Sequence, residues 1–134
     1  HNRCRRQRQM CIRDSLTTAD REMCLVVQIE TPAGVAALDD ILAVEGVDAV
    51  FIGPSDLSAN YGHIGNPGAP EVVEAVQSSL DKIAASDKAS GIMALDPAAA
   101  KSYLDRGVDF VAVSIDARTL ALSLRAIAAD MRNR

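Results

Sequence analysis

The chain has 134 residues, of which 49% are hydrophobic and 24% are charged, and this composition is typical of one globular domain with a hydrophobic core. It contains no run of 18 apolar residues, so we expect no membrane-spanning helix and no membrane partner. A net charge of −4 and an aromatic content of 3% argue against nucleic acid as a partner, because its recognition uses basic surfaces and aromatic stacking.

The amino-terminal segment differs in charge from the rest. Residues 1–14 contain five arginines and one acid, and they lack the apolar stretch of a signal peptide. A basic arm for anions is one interpretation, but basic ends of this kind are usually solvated. We therefore expect residues 1–14 to be a disordered or foreign segment and residues 15–134 to be the folded unit.

The three cysteines are an odd number without metal-ligand spacing, which predicts a reducing cytoplasm.

The first predicted elements are a strand, a helix and a second strand. Residues 23–29 (MCLVVQI) form a continuous apolar run, as expected of a strand buried on both faces. Thr31 and Pro32 then suit the start of a helix, and Gly46 suits its end. Residues 48–53 (DAVFIG) predict the second buried strand.

A loop rich in Gly, Pro, Ser and Asn follows over residues 53–70 and leads into a second amphipathic helix. The third strand is predicted at residues 90–95, followed by a helix that Asp96 caps and Gly107 closes. The fourth strand is predicted at residues 108–115. Asp116 then caps a last helix with an apolar stripe formed by Leu120, Leu124, Ile127 and Met131.

One short motif repeats between helix and strand. Gly-Val-Asp occurs at residues 46–48 and again at residues 107–109, each time joining a helix end to an apolar strand. Strands that alternate with helices predict a parallel sheet with right-handed crossovers. Both a doubly wound sheet and half of a (β/α)₈ barrel fit this pattern, because a whole barrel needs about 250 residues. The glycine-rich nucleotide-binding motifs are missing, which weakens the doubly wound alternative.

The polar residues at the predicted strand ends are the candidates for chemistry, since sites in parallel α/β folds lie there. Gln28 and Glu30 end the first strand and point the same way, and Asp56 follows the second. Two carboxylates with waters and a substrate oxygen suit Mg²⁺ or Mn²⁺. The alternative is that Glu30 and Asp56 only cap the turns that follow them.

The turn at residues 53–58 offers a second kind of site. Gly53, Pro54, Ser55 and Asp56 lead into a helical turn whose first N–H groups lack partners, and such a turn binds anions, including carboxylates. A plain tight loop is equally compatible with these residues.

His63 lies in a glycine-rich loop, where exposure without function is the usual case. Schiff-base catalysis is not expected, because no lysine lies at the end of a strand; the candidates are Lys82, Lys88 and Lys101.

The segment VQIETPAGVAALDDILAVEGVDAVFIGPSDLSANYGHIGNPGAPEV, residues 27–72, closely resembles the HpcH/HpaI aldolases, which are class II 2-oxo-acid aldolases. The resemblance runs from about residue 16 to the end, and the Gln-Ile-Glu and Gly-Pro-Ser-Asp-Leu-Ser motifs are its most specific parts. It implies α/β architecture, with the four βα units as the carboxyl-terminal half of a (β/α)₈ TIM barrel.

The resemblance also implies a site and a reaction. Glu30 and Asp56 would ligate Mg²⁺ or Mn²⁺, with Co²⁺ as a further option, and Gln28 would be a polar partner. The residues from Gly53 to Asp56 would bind substrate, with the amides of Ser55 and Asp56 holding the carboxylate of pyruvate. The reaction would be reversible cleavage of a 4-hydroxy-2-oxo acid to pyruvate and an aldehyde, in a cytoplasmic homo-oligomer whose last helix packs on a neighbouring subunit.

Part of the family's active site has no counterpart in this sequence. The base-assisting His and the substrate-clamping Arg of the family come from earlier strands, so we expect a truncated fragment that is inactive alone. A related lyase acting on an acyl-CoA thioester and a non-catalytic fragment that binds metal or associates with other chains are the alternatives. Open sheet edges should leave strand residues exposed; the candidates are Val26, Val50, Phe51, Val111 and Val113.

Overall fold

A computed structural model describes residues 18, 19 and 22–132. The expectation for residues 1–14 lies outside this range. The four strands are β1 (Val26–Ile29), β2 (Ala49–Ile52), β3 (Ala89–Met93) and β4 (Phe110–Ala112). The six helices of residues 22–132 are α1 (Pro32–Ala36), α2 (Leu38–Leu42), α3 (Pro54–Asn60), α4 (Pro70–Ala84), α5 (Pro97–Asp105) and α6 (Asp116–Arg132).

The four strands form one parallel sheet in the order β1-β2-β3-β4. Each strand therefore pairs with the next one in the chain, and the order never reverses, whereas a doubly wound sheet reverses its order at a switch point. In the strand register, Ile29 pairs with Ile52 and Ile52 pairs with Ile92, so the carboxyl ends of β1, β2 and β3 lie at one edge of the sheet. This topology is that of consecutive βα units of a barrel, as the family resemblance implies.

The hydrophobic core lies between the sheet and α4. The three register-paired isoleucines of β1, β2 and β3 are fully buried, and α4 packs its apolar stripe in the same cluster; the stripe residues are Val72, Val76, Leu80 and Ile83. Each such side chain contributes about 1.5–3 kcal/mol when it leaves water. This cluster fixes the side of the sheet that the helices cover.

The repeated Gly-Val-Asp motif has the same structural role at both places. Gly46 and Gly107 take φ values of 88° and 95°, which favour glycine. Gly107 directly follows the C-cap of α5, whereas α2 already ends at Leu42 and Gly46 lies in the turn after it. Asp48 then accepts a hydrogen bond from the Leu25 N–H at 2.7 Å, and Asp109 accepts one from the Ser90 N–H at 2.7 Å. Each aspartate thus ties its strand to the backbone of a neighbouring strand.

On the other side of the sheet, an aromatic ring crosses a glycine. A Cβ on Gly91 would lie 2.3 Å from the Phe110 ring, so this ring passes over β3 where a side chain is missing. It stacks on Phe51, with 5.5 Å between the ring centroids. Phe51 is buried, and Val50 is buried on the helix-covered side, so the expectation that these two are exposed is wrong.

The other three residues predicted to be exposed, Val26, Val111 and Val113, are more accessible to solvent than Val50 and Phe51. Val26 is 42% exposed and Val113 is 56% exposed, while Val111 is partly buried. β1 was expected to be buried on both faces, but it lies at an edge of the sheet and only Ile29 is buried.

Two predicted boundaries differ in detail. The helix predicted after Thr31 is divided at Ala37, whose ψ of 4° interrupts it. The Ala37 N–H donates back to the Ala33 carbonyl, and the Ile41 N–H donates to the Ala37 carbonyl. The predicted loop over residues 53–70 contains α3. Within residues 22–132, no helix has the length and apolar composition needed to span a membrane.

Candidate active site

Glu30 and the turn after β2 lie side by side at the carboxyl edge of the sheet. The ladder between the two strands ends at the pair Ile29–Ile52, and the Gly53 N–H then donates to the Ile29 carbonyl at 3.1 Å. Glu30 follows directly on one side and Pro54 on the other. The chain therefore brings together the two segments in which the sequence placed the metal ligands.

Gly53 lets the Glu30 side chain cross the end of β2. A Cβ added to Gly53 would lie 2.8 Å from Glu30 Oε1 and 2.9 Å from its Cγ, closer than real Cβ contacts. The carboxylate of Glu30 thus occupies the space that a side chain at position 53 would fill. This close approach places the acid against the N-cap of α3, three residues before Asp56 in the sequence.

The alternative that Glu30 and Asp56 act as helix caps does not match the geometry. Thr31 is the cap of α1, because its hydroxyl accepts a hydrogen bond from the Gly34 N–H at 3.1 Å. The cap position of α3 is Gly53, with no side-chain hydrogen bond, and Asp56 lies inside the first turn. Both carboxylates are therefore available for another partner.

The beginning of α3 also presents backbone donors. The first intrahelical bond joins the Leu57 N–H to the Gly53 carbonyl at 2.9 Å. The N–H groups of Ser55 and Asp56 come before it, so they have no acceptor within the helix. These are the amides that the family resemblance assigns to a substrate carboxylate, and that assignment stays a prediction.

A cavity of about 730 Å³ adjoins this turn. Pro54 and Ser55 line one side, and most of the remaining lining is apolar, including Met93, Leu95 and Val113. A volume of this size holds a small organic molecule. Helices α4 and α5 supply part of the lining, and neither Glu30 nor Asp56 belongs to it.

Gln28 lies on the β1 strand and is exposed, whereas the next residue, Ile29, is buried. This alternation places Gln28 on the side of the sheet that the helices do not cover. Its register partner is Phe51. A polar side chain here faces the open side of the sheet, and its role beside Glu30 stays a prediction.

The other residues considered from the sequence lie elsewhere. The His63 side chain pairs with that of Glu71 in the first turn of α4, and this contact connects the loop before α4 to the helix. Lys82 pairs with Asp39 at 2.6 Å, and Lys88 with its neighbour Asp87 at 3.4 Å. Lys101 is exposed within α5. None of these three lysines belongs to the carboxyl-edge turns that hold Glu30 and Asp56.

Sequence reasoning did not identify Asn60, the last residue of α3. Its side-chain Nδ2 donates to the Glu30 carbonyl and to the Asp56 carbonyl, both at 3.0 Å. The only signal in the sequence was its position four residues after Asp56, which places both on one helix face. That spacing is too common to single out a residue.

The residues present fit a hard divalent cation. Oxygen ligands from one or two carboxylates, completed by water and substrate, are the usual protein environment of Mg²⁺. In the described part of the chain, no group of three or more His, Cys, Asp or Glu side chains is arranged for a metal. The pair of Glu30 and Asp56 therefore suits an ion that also needs ligands from its substrate.

A family profile and several known proteins match most of this chain. The profile of the family described as HpcH/HpaI aldolase/citrate lyase matches residues 2–122. A hydroxypyruvate/pyruvate aldolase of Roseovarius nubinhibens is 49% identical over 121 residues, which cover 90% of this chain and 47% of that protein. A 4-hydroxy-2-oxo-heptane-1,7-dioate aldolase of Escherichia coli is 48% identical over 118 residues, covering 88% and 45%.

A solved HpcH/HpaI-type structure from Burkholderia cenocepacia J2315 superposes with a TM-score of 0.81 at 37% identity, covering 90% of this chain and 47% of the other. The chain thus spans about half the length of the relatives it matches. The profile match extends over most of the sequence. The chain belongs to the HpcH/HpaI aldolase/citrate lyase family.

Proposed function

We propose that this chain supplies the cation-binding half of a class II aldolase that reversibly cleaves a 4-hydroxy-2-oxo acid to pyruvate and an aldehyde. Glu30 and Asp56 hold Mg²⁺ or Mn²⁺, with Co²⁺ as a further option. The observation that carries the proposal is the placement of the Glu30 carboxylate in the space at Gly53, beside the turn that contains Asp56.

The residues of this half have two tasks in the proposed reaction. The Glu30 and Asp56 carboxylates hold the cation, whose positive charge stabilises the negative charge that develops on the 2-oxo oxygen. The N–H groups of Ser55 and Asp56 donate to the carboxylate of pyruvate and fix its orientation.

The whole protein completes this site in the proposal. The base-assisting His and the Arg that holds substrate come from the first half of the barrel in this family. The working enzyme is a cytoplasmic homo-oligomer, and it needs neither nucleic acid nor a membrane. The relatives described above carry aldolase names, which favours an aldolase over the acyl-CoA lyase and over a non-catalytic fragment.

The experiment uses a complete barrel in which residues 22–132 are joined to the first half of the Roseovarius relative. Glu30→Gln or Asp56→Asn should lower aldol cleavage by at least about 1000-fold, because each removes a charged ligand of the cation. Lys101→Met is the control and should keep activity. A pyruvate adduct trapped on a lysine by borohydride, or full activity in Glu30→Gln, would contradict the proposal.

A further inference from the structure

We propose that Asn60 is a positioning residue of the cation site, because its side-chain amide holds the backbones of Glu30 and Asp56 at a fixed separation. This inference rests on the proposed function, since it concerns the same two carboxylates. It goes further by assigning a role to Asn60, whose side-chain amide donates to the backbone carbonyls of both residues.

The amide of Asn60 joins two segments that are far apart in the sequence. One Nδ2 group donates to the carbonyl of Glu30, 30 residues away, and to the carbonyl of Asp56, four residues away, with both distances at 3.0 Å. The two carbonyl oxygens therefore cannot be further apart than twice this distance. An NH₂ group carries two hydrogens, so it satisfies both acceptors at once.

The orientation of the amide follows from its partners. If the amide were turned over, its oxygen would face two carbonyl oxygens and neither contact would be a hydrogen bond. Only a side chain with two donors on one atom fits the position. The isosteric Asp has no such donor when it is ionised.

No other hydrogen bond found in the described chain joins the two segments beyond the sheet. The Gly53 N–H to Ile29 carbonyl bond is the last backbone contact between β1 and the chain leaving β2. Beyond it, Glu30 enters the turn to α1 and Asp56 enters α3. A cation held between two carboxylates requires their backbones to keep one separation, and the Asn60 amide supplies that constraint.

The test measures Mn²⁺ affinity of the 134-residue chain by electron paramagnetic resonance of the free ion. Asn60→Ala should weaken binding about 10-fold or more, as removal of such supporting hydrogen bonds commonly does. Asn66→Ala is the matched control, because this nearby exposed asparagine lies outside the site, and it should bind as the unmodified chain does.

Asn60→Asp separates positioning from simple electrostatics. It adds a negative charge beside the site, so electrostatics alone would tighten Mn²⁺ binding. The loss of both donors should instead weaken binding, as in Asn60→Ala. Tighter or unchanged binding in Asn60→Asp would overturn the inference.

Two further readouts separate the possible failures. A purely structural role would lower the melting temperature of the metal-free variant but leave the stabilisation by Mn²⁺ unchanged, and this result would overturn the inference. If Glu30→Gln binds Mn²⁺ as well as the unmodified chain does, the proposed cation site itself is wrong. If only Glu30→Gln loses binding, the site stands and the role of Asn60 does not.

Discussion

The Glu30 side chain lies against Gly53, the N-cap of α3, because that residue has no side chain. Gly53 has a φ of −105° and a ψ of 85°, and the negative φ is open to residues with a side chain. Glycine is therefore needed here for space and not for backbone freedom. The acid and the glycine form one feature of the site, although they follow different strands.

Gly53→Ala should displace the Glu30 side chain and weaken Mn²⁺ binding by about 10-fold or more, since the new Cβ would overlap Oε1 and Cγ of Glu30. Mn²⁺ titration of the purified chain measures this effect. Gly34→Ala is the control, because a Cβ there meets only ordinary contacts of 3.4–3.5 Å and a helix favours alanine. Equal affinity in the two variants would show that Glu30 does not need this space.

At the scale of elements, the Gly-Val-Asp motif connects neighbouring strands near their amino ends. Asp109 accepts hydrogen bonds from the N–H and the hydroxyl of Ser90, at 2.7 Å and 2.9 Å. The backbone N–H of Ser90, followed by its hydroxyl, holds the pKa of Asp109 below its ordinary value of 3.8. The ionised carboxylate is the form that accepts these bonds.

This lowered pKa predicts an acid-dependent loss of stability. A carboxyl whose pKa is lower in the folded than in the unfolded chain stabilises the fold above the unfolded value, and the contribution is lost as pH falls from there through the folded value. The window thus begins near pH 4 and extends below it. Asp109→Asn should flatten the fall in the free energy of unfolding between pH 5 and pH 3, measured by urea denaturation.

Asp105→Asn is the matched control for this measurement, since Asp105 is an exposed acid at the end of α5. Its acid dependence should follow that of the unmodified chain. An unchanged slope in Asp109→Asn would mean that the hydrogen bonds to Ser90 do not stabilise the ionised form.

Local patterns predicted the elements well and the contacts between them only in part. Apolar runs and glycine positions gave the order of four strands and the helices between them, because these signals lie within each element. The burial of Phe51 depends on the ring of Phe110, 59 residues later, passing over Gly91. The hydrogen bond from Asn60 to the Glu30 carbonyl likewise joins residues that are far apart in the sequence. Contacts of this range leave no periodic signal in a sequence.

On the scale of the whole molecule, the described chain leaves apolar surface exposed. No residue of α6 is buried, and its stripe is open to solvent; the stripe residues are Leu120, Leu124, Ile127 and Met131. β1 and β4 are the edge strands, with exposed apolar residues at Leu25, Val26 and Phe110. Apolar patches and unpaired strand edges of this kind favour association.

The 134-residue chain should therefore self-associate at micromolar concentration and show little or no aldolase turnover by itself. Two copies can pair at their strand edges, but they would duplicate Glu30 and Asp56 without supplying the His and Arg that the proposed reaction needs. Sedimentation velocity measures the association, and a pyruvate-forming assay with Mn²⁺ measures turnover. Replacing Leu124 and Ile127 with Gln should reduce the association, because it interrupts the exposed stripe of α6 without removing a buried contact. A monomer with a cooperative melt and aldolase turnover would contradict both expectations.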